Sequence, residues 1–120
     1  MDLVPQIVAN LEVEEGQAEK GVGAILMALR MVVDQATFEK VKAAVPNYES
    51  YMGRALMSGA RTGEMVAMAG PAALLAGLGA AGFKKDDVPR LGRIVMEYLR
   101  PTLGNDTIER FLDGAPALKG

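Results

Sequence analysis

MVAMAGPAALLAGLGAAGF, running from Met65 to Phe83, is nineteen residues without a charge, fenced by Arg61 and Glu64 before it and by Lys84 and Lys85 after it. Elsewhere the chain alternates charged with apolar residues, so this segment is the natural centre of the fold. As one helix it would reach roughly 28 Å, about the thickness of a bilayer core. Its composition opposes insertion. Seven Ala, four Gly and one Pro leave only seven strongly apolar side chains, and Ala and Gly gain little on entering lipid. In a continuous helix Pro71 would clash with the carbonyl of Ala67 and remove a hydrogen bond. The spacing therefore predicts a break at Gly70 and a new helix with Pro71 in its first turn. That helix runs to about Leu78 or Ala81, where Gly79 and Gly82 stop it. Ala73, Gly77 and Ala81 recur at a stride of four, which lets a second helix approach closely. The segment reads as the buried hub of a soluble helical domain.

The rest of the composition narrows the chemistry. Half of the 120 residues are apolar and the net charge is −2, from 13 basic and 15 acidic side chains. That is enough apolar chain for one folded core and gives no general pull toward nucleic acid. There is no Cys, so no disulfide and no thiolate chemistry. There is no His either, which removes the commonest general base and the commonest metal ligand. Trp is absent and aromatics are few, so a base-stacking platform is hard to build. Met1 is followed by the acidic Asp2, where an export signal would carry Lys or Arg, and Pro5, Gln6 and Asn10 interrupt the first apolar run. No signal peptide is read. The expected compartment is the cytoplasm, or the periplasm if a segment carrying an export signal precedes Met1.

Outward from the centre, helix patterns follow one another. Leu3, Ile7 and Leu11 share a face of a short first helix, with Asp2 as its cap. A second helix is predicted from about Glu15 to Val33, with Glu14 and Glu15 at its positive end. Ala18, Val22, Ile25, Leu29 and Val32 form its core stripe. Its other flank carries Ala24, Met27, Ala28 and Met31, so the helix is apolar on two sides and needs two neighbours. Asp34 caps a third helix that puts Phe38, Val41 and Val45 inward and ends at Pro46. Asn47 starts a short fourth one, with Tyr48, Tyr51, Met52, Ala55 and Leu56 on its apolar side. Ser58 to Gly63 reads as a loop. Past the centre, Asp86 or Asp87 caps a clean amphipathic helix. Val88, Leu91, Ile94, Val95, Tyr98 and Leu99 lie inward, and Pro101 and Gly104 close it. Asp106 and Glu109 have capping-box spacing for a last helix with Ile108, Phe111 and Leu112. No segment alternates with period two. The fold is predicted to be all-α, a compact bundle of about six short helices around the central Gly/Ala-rich helix. It forms one domain over residues 1–114, with a frayed tail at 115–120.

A faint echo runs at an offset of 70: Leu29 and Arg30 match Leu99 and Arg100, Thr37 matches Thr107, Glu39 matches Glu109 and Pro46 matches Pro116. It hints at two related helix pairs around the hub.

Chemistry-bearing motifs are thin. Gly21-Val22-Gly23 is like the start of a dinucleotide loop, but no strand precedes it and no third Gly follows, so it reads as close helix packing. Gly59 to Gly63 holds Arg61 and backbone amides but lacks the Lys-Ser/Thr ending of a phosphate loop. Glu12, Glu14 and Glu15, and Asp86 with Asp87, sit where helix starts favour negative charge. Glu97 lies one turn from Arg93 and Arg100, a self-paired solvated face. No catalytic residue, cofactor or metal ligand is assigned.

Taken together, Leu11-Glu12-Val13, Gln17-Ala18, Gly21 to Leu26, Phe38, Ala44-Val45-Pro46, Leu78-Gly79 and Val88-Pro89 through Val95, Tyr98 and Leu99 resemble a small bacterial family of unknown function, VcgC/VcgE. The resemblance covers most of the chain in two blocks joined by a variable Gly/Ala-rich middle. Glu12 departs from it, standing where that family usually has Gly. The resemblance implies a fold and carries no catalytic residues.

The functional expectation is a non-catalytic helical module that self-associates as a homodimer or binds an unknown protein partner. Its candidate interface is Ala24, Met27, Ala28 and Met31, with flexible Met side chains repacking across the axis. The alternative for that flank is the core, if the second helix runs through the middle of the bundle. The second functional reading is a protein that binds an apolar ligand or lies on a membrane surface, suggested by eight Met and the Gly/Ala-rich middle.

Overall fold

Apolar residues repeating at three and four set the helices of the computed structural model, which describes residues 3–57, 78–79, 81–115 and 118. Six helices are present among them and no strand. They are α1 (Leu3–Leu11), α2 (Glu15–Val32), α3 (Gln35–Ala44), α4 (Tyr48–Met57), α5 (Asp87–Leu103) and α6 (Asn105–Gly114). The protein is an all-α bundle. None of these helices is long and apolar enough to cross a membrane. The predicted loop at Ser58 to Gly63, the start of the central helix at Pro71, its core residue Leu74 and the close-packing position Gly77 lie outside the described residues. Leu78 and Phe83, at the end of the central stretch, are buried.

α2 is the element buried on every side. All of its residues from Gly21 to Leu29 are in the interior. Two glycines make this possible. A Cβ on Gly23 would run into the backbone carbonyl of Tyr51, so α4 crosses α2 at backbone-to-backbone distance there. A Cβ on Gly21 would come within 2.8 Å of the Phe83 ring and 3.0 Å of Leu91. α4 therefore covers one flank of α2, and α1, Phe83 and α5 cover others. The expected core residues Ile7, Ala18, Val22, Ile25, Leu29, Leu78, Leu91, Val95 and Leu99 are all buried.

Helix ends show which sequence signals act. Asp34 caps α3 as expected, its carboxylate accepting from the Thr37 N–H at 2.7 Å. Glu14 and Asp86 stand at the starts of α2 and α5, but neither side chain makes a capping hydrogen bond. α6 begins at Asn105 directly after Gly104, again without a side-chain cap, so Asp106 and Glu109 form no capping box. Pro101 does not end α5. It sits in the last turn, and Gly104, with φ +82°, turns the chain. α1 stops at Glu12, whose N–H donates to the Val8 carbonyl with φ +55°.

The echo at an offset of 70 appears in the helices themselves. α3 spans 35–44 and α6 spans 105–114, both exactly ten residues displaced by 70 (105 − 35 and 114 − 44). Phe38 and Ile108, Val41 and Phe111, Val45 and Ala115, Ile25 and Val95, and Leu29 and Leu99 are buried as equivalent pairs. α3 packs on α5 while α6 packs on α2, as an exchange of the two helix pairs requires. The Tyr98 hydroxyl donates to the Ala44 carbonyl at 3.0 Å and ties α5 to the end of α3.

Of the segment 115–120, expected to fray, two residues are described. Ala115 and Leu118 are buried, and Leu118 lies where a side chain on Gly92 would be, 2.8 Å from a Cβ built there. The small residue on α5 makes room for the returning chain.

Candidate functional site

The flank of α2 singled out in the sequence divides in two. Ala24, Met27 and Ala28 are at most 2% exposed. They are interior, not surface, which corrects their placement in an interface. The reason is the glycine at position 23: it lets α4 lie directly on this side of the helix, and Met27 follows one turn later. Met31 is different. It is 45% exposed, and its neighbour Val32, expected in the core stripe, is 41% exposed. These are the large apolar side chains that the described fold leaves in solvent. The last turn of α2 is exposed at Arg30, Met31 and Val32, and it is Val33, beyond the helix end, that is half-buried.

Met31 and Val32 lie at the corner where α2 gives way to α3, and the corner is flanked by two clefts. One, of about 230 Å³, is lined by Val32, Val33, Thr37, Thr107 and Arg110. Thr37 and Thr107 are the equivalent residues of the two helix pairs, so this cleft lies where the pairs face each other. The other, of about 390 Å³, is lined by Arg30, Val33, Phe38, Lys42, Tyr48 and Met52. Phe38 and Tyr48 meet edge to face at 6.4 Å, and the Lys42 ammonium stands 5.7 Å and 5.5 Å from their ring centres. Lys42 also donates to Glu39 at 3.0 Å, which holds its pKa above the ordinary value. The Tyr48 hydroxyl donates to Glu49 at 3.0 Å, and that bond pushes the phenol up. The carboxyl of Asp34, which lines both clefts, is held below the usual range by its hydrogen bonds from Thr37, with help from Lys40 and Arg110.

A second surface was not singled out in the sequence. A groove of about 660 Å³ opens between α1 and the starts of α2 and α4. Val4, Pro5 and Val8 of α1 and Tyr51 of α4 line it, and Glu15 and Glu19 of α2 stand on its edge. The available signal was the pair Glu15 and Glu19 at a spacing of four, like charges on one helix face that weaken the helix slightly instead of supporting it.

The remaining candidates are structural. Glu97 pairs with Arg100 at 3.1 Å, and Arg100 also donates to Asn105 at 2.6 Å. Arg90 donates to the Asn10 carbonyl at 2.8 Å, closing the end of α1, and stands 3.6 Å from Asp87. Among the described residues no three acidic side chains converge as a metal site would need. The Gly59 to Gly63 loop lies outside the described residues.

Fold and surfaces together define a small helical bundle with an exposed apolar corner and an acid-edged groove. The chain belongs to the family described as protein of unknown function VcgC/VcgE (DUF2780), whose model matches residues 1–113. No curated protein and no solved structure matches the chain.

Proposed function

We propose that the protein is a non-catalytic helical module that acts by contact with another protein surface, a second copy of itself first of all. The observation that carries this reading is the α2–α3 corner, where adjacent Met31 and Val32 are 45% and 41% exposed. A single exposed apolar residue is ordinary on a protein surface. Two in succession beside two clefts give one knob and one hole on the same patch, the arrangement a two-fold contact uses. Met31 adds a side chain that adapts its shape to an apolar partner. Of the interface foreseen along Ala24, Met27, Ala28 and Met31, only Met31 is kept, joined by Val32 at the end of the same helix.

The test is the oligomeric state of the wild type and of Met31→Glu/Val32→Glu by light scattering. The expected result is a dimeric wild type and a folded, monomeric double variant. A wild type that is monomeric throughout would remove self-association, and a double variant that remains dimeric would remove this corner as its site.

A further inference from the structure

We propose that Met31 is a peroxide-sensitive modification site, and that its oxidation to the sulfoxide releases the dimer formed through the α2–α3 corner. The inference rests on the corner being the self-contact, and adds what controls it.

Composition and burial choose the target. The chain has eight Met and no Cys, Trp or His. No thiol is present to take a hydroperoxide first, which leaves the thioethers as its natural targets. An oxidant must also reach the sulfur. Met27 and Met96 are 2% exposed and Met52 is 7% exposed, whereas Met31 is 45% exposed. Met31 therefore reacts in the folded protein, while those three wait for an opening of the core.

The reaction needs one oxidant, hydrogen peroxide. A lone pair on Sδ of Met31 attacks one peroxide oxygen, and the O–O bond breaks as the S–O bond forms. A proton passes to the departing oxygen, which leaves as water. The sulfur loses two electrons and the peroxide gains them. The product is a polar, chiral sulfoxide where a flexible apolar group stood beside Val32. To enter an apolar contact its oxygen must leave water, and that desolvation opposes the dimer. Dimer and oxidant thus compete for one side chain, open in the free protomer and covered in the pair. Oxidation removes free protomer, and mass action draws the dimer apart. With no Cys in the chain, reversal falls to methionine sulfoxide reductases: two thiols close to a disulfide, the oxygen leaves as water and the thioether returns.

The experiment treats the whole chain with hydrogen peroxide, locates the added oxygen by mass spectrometry of proteolytic peptides, and follows the dimer by sedimentation velocity. Met31 is expected to oxidise before Met27, Met52 and Met96, and more slowly at protein concentrations above the dimer midpoint. Its oxidation should raise the dimer Kd by roughly tenfold or more while the circular dichroism is kept. Methionine sulfoxide reductases with dithiothreitol should restore the starting Kd. Met31→Leu, compared with itself before and after peroxide, should show one Kd. Oxidation of Met27, Met52 or Met96 ahead of Met31, or a dimer that persists with Met31 fully oxidised, would overturn the proposal and leave the corner standing. So would a Met31→Leu dimer that peroxide still dissolves. A wild type already monomeric before any peroxide would remove the corner, and the switch with it.

Discussion

Glu12 holds the left-handed backbone that closes α1, with φ +55° and its N–H on the Val8 carbonyl. A side chain in that region crowds the following carbonyl, at a cost of roughly 1–2 kcal/mol. Gly is the residue such a helix end favours. Glu12→Gly is expected to stabilise the fold by about 1 kcal/mol, a rise of about 4 °C in Tm for a domain of this size. Glu12→Ala should give no such gain, and thermal unfolding of the two variants checks the pair. Glycines elsewhere separate by what surrounds them. Gly23→Ala forces a methyl into the Tyr51 backbone and should cost roughly 1–3 kcal/mol. Gly53→Ala meets nothing within 4 Å and should gain roughly 0.5–1 kcal/mol from helix propensity. Denaturant titration of both reads the contrast directly. Asp34 carries a pH dependence. Its folded-state pKa is depressed, so its contribution is present above the ordinary carboxylate range and is lost as the pH falls through the folded value. Asp34→Ala should therefore be less stable than wild type at neutral pH, and the difference should shrink on acidification. Melting curves across that range show it.

At the scale of elements, α2 explains both what could be read in advance and what could not. Its apolar residues on two sides announced a helix needing two neighbours, and Gly21 and Gly23 announced close packing. Which neighbour would come was hidden, because the contact that decides it is between Gly23 and the backbone of Tyr51, and backbone contacts leave no pattern in side-chain type. The same limit applies to the end of the chain. Leu118 packs over Gly92, and a lone Leu after Gly114 gives no periodic signal. Val32 failed for the opposite reason. It keeps the helical period but lies in the last turn, where period alone does not say whether a neighbour extends that far. Capping residues were legible by position, but of Glu14, Asp34, Asp86 and Asp106 only Asp34 makes the bond. Substituting Met27, at 2% exposure, tests the placement of α4 on α2. Met27→Glu puts a carboxylate among apolar side chains and should cost roughly 3 kcal/mol or more. Loss of the cooperative melt, without a discrete folded monomer, is the expected outcome.

For the whole molecule, two helix pairs displaced by 70 residues surround one another, with α1 and α4 completing the cover of α2. Equivalent positions are buried in both pairs, while Met31 and Pro101 are exposed at the equivalent place in each. One pair thus carries a flexible apolar side chain in the last turn of its long helix and the other a rigid ring, and only the first offers an adaptable surface. The corner at Met31 and Val32 is where the molecule is expected to meet its own copy. Sedimentation velocity from about 10 μM to about 1 mM, a span that covers weak to moderate dimers, compares the wild type with Met31→Glu/Val32→Glu. The expected result is a wild type whose mass doubles within that span and a variant that stays a folded monomer across it. A wild type sedimenting as a monomer at every concentration, or a variant that dimerises equally well, would contradict it.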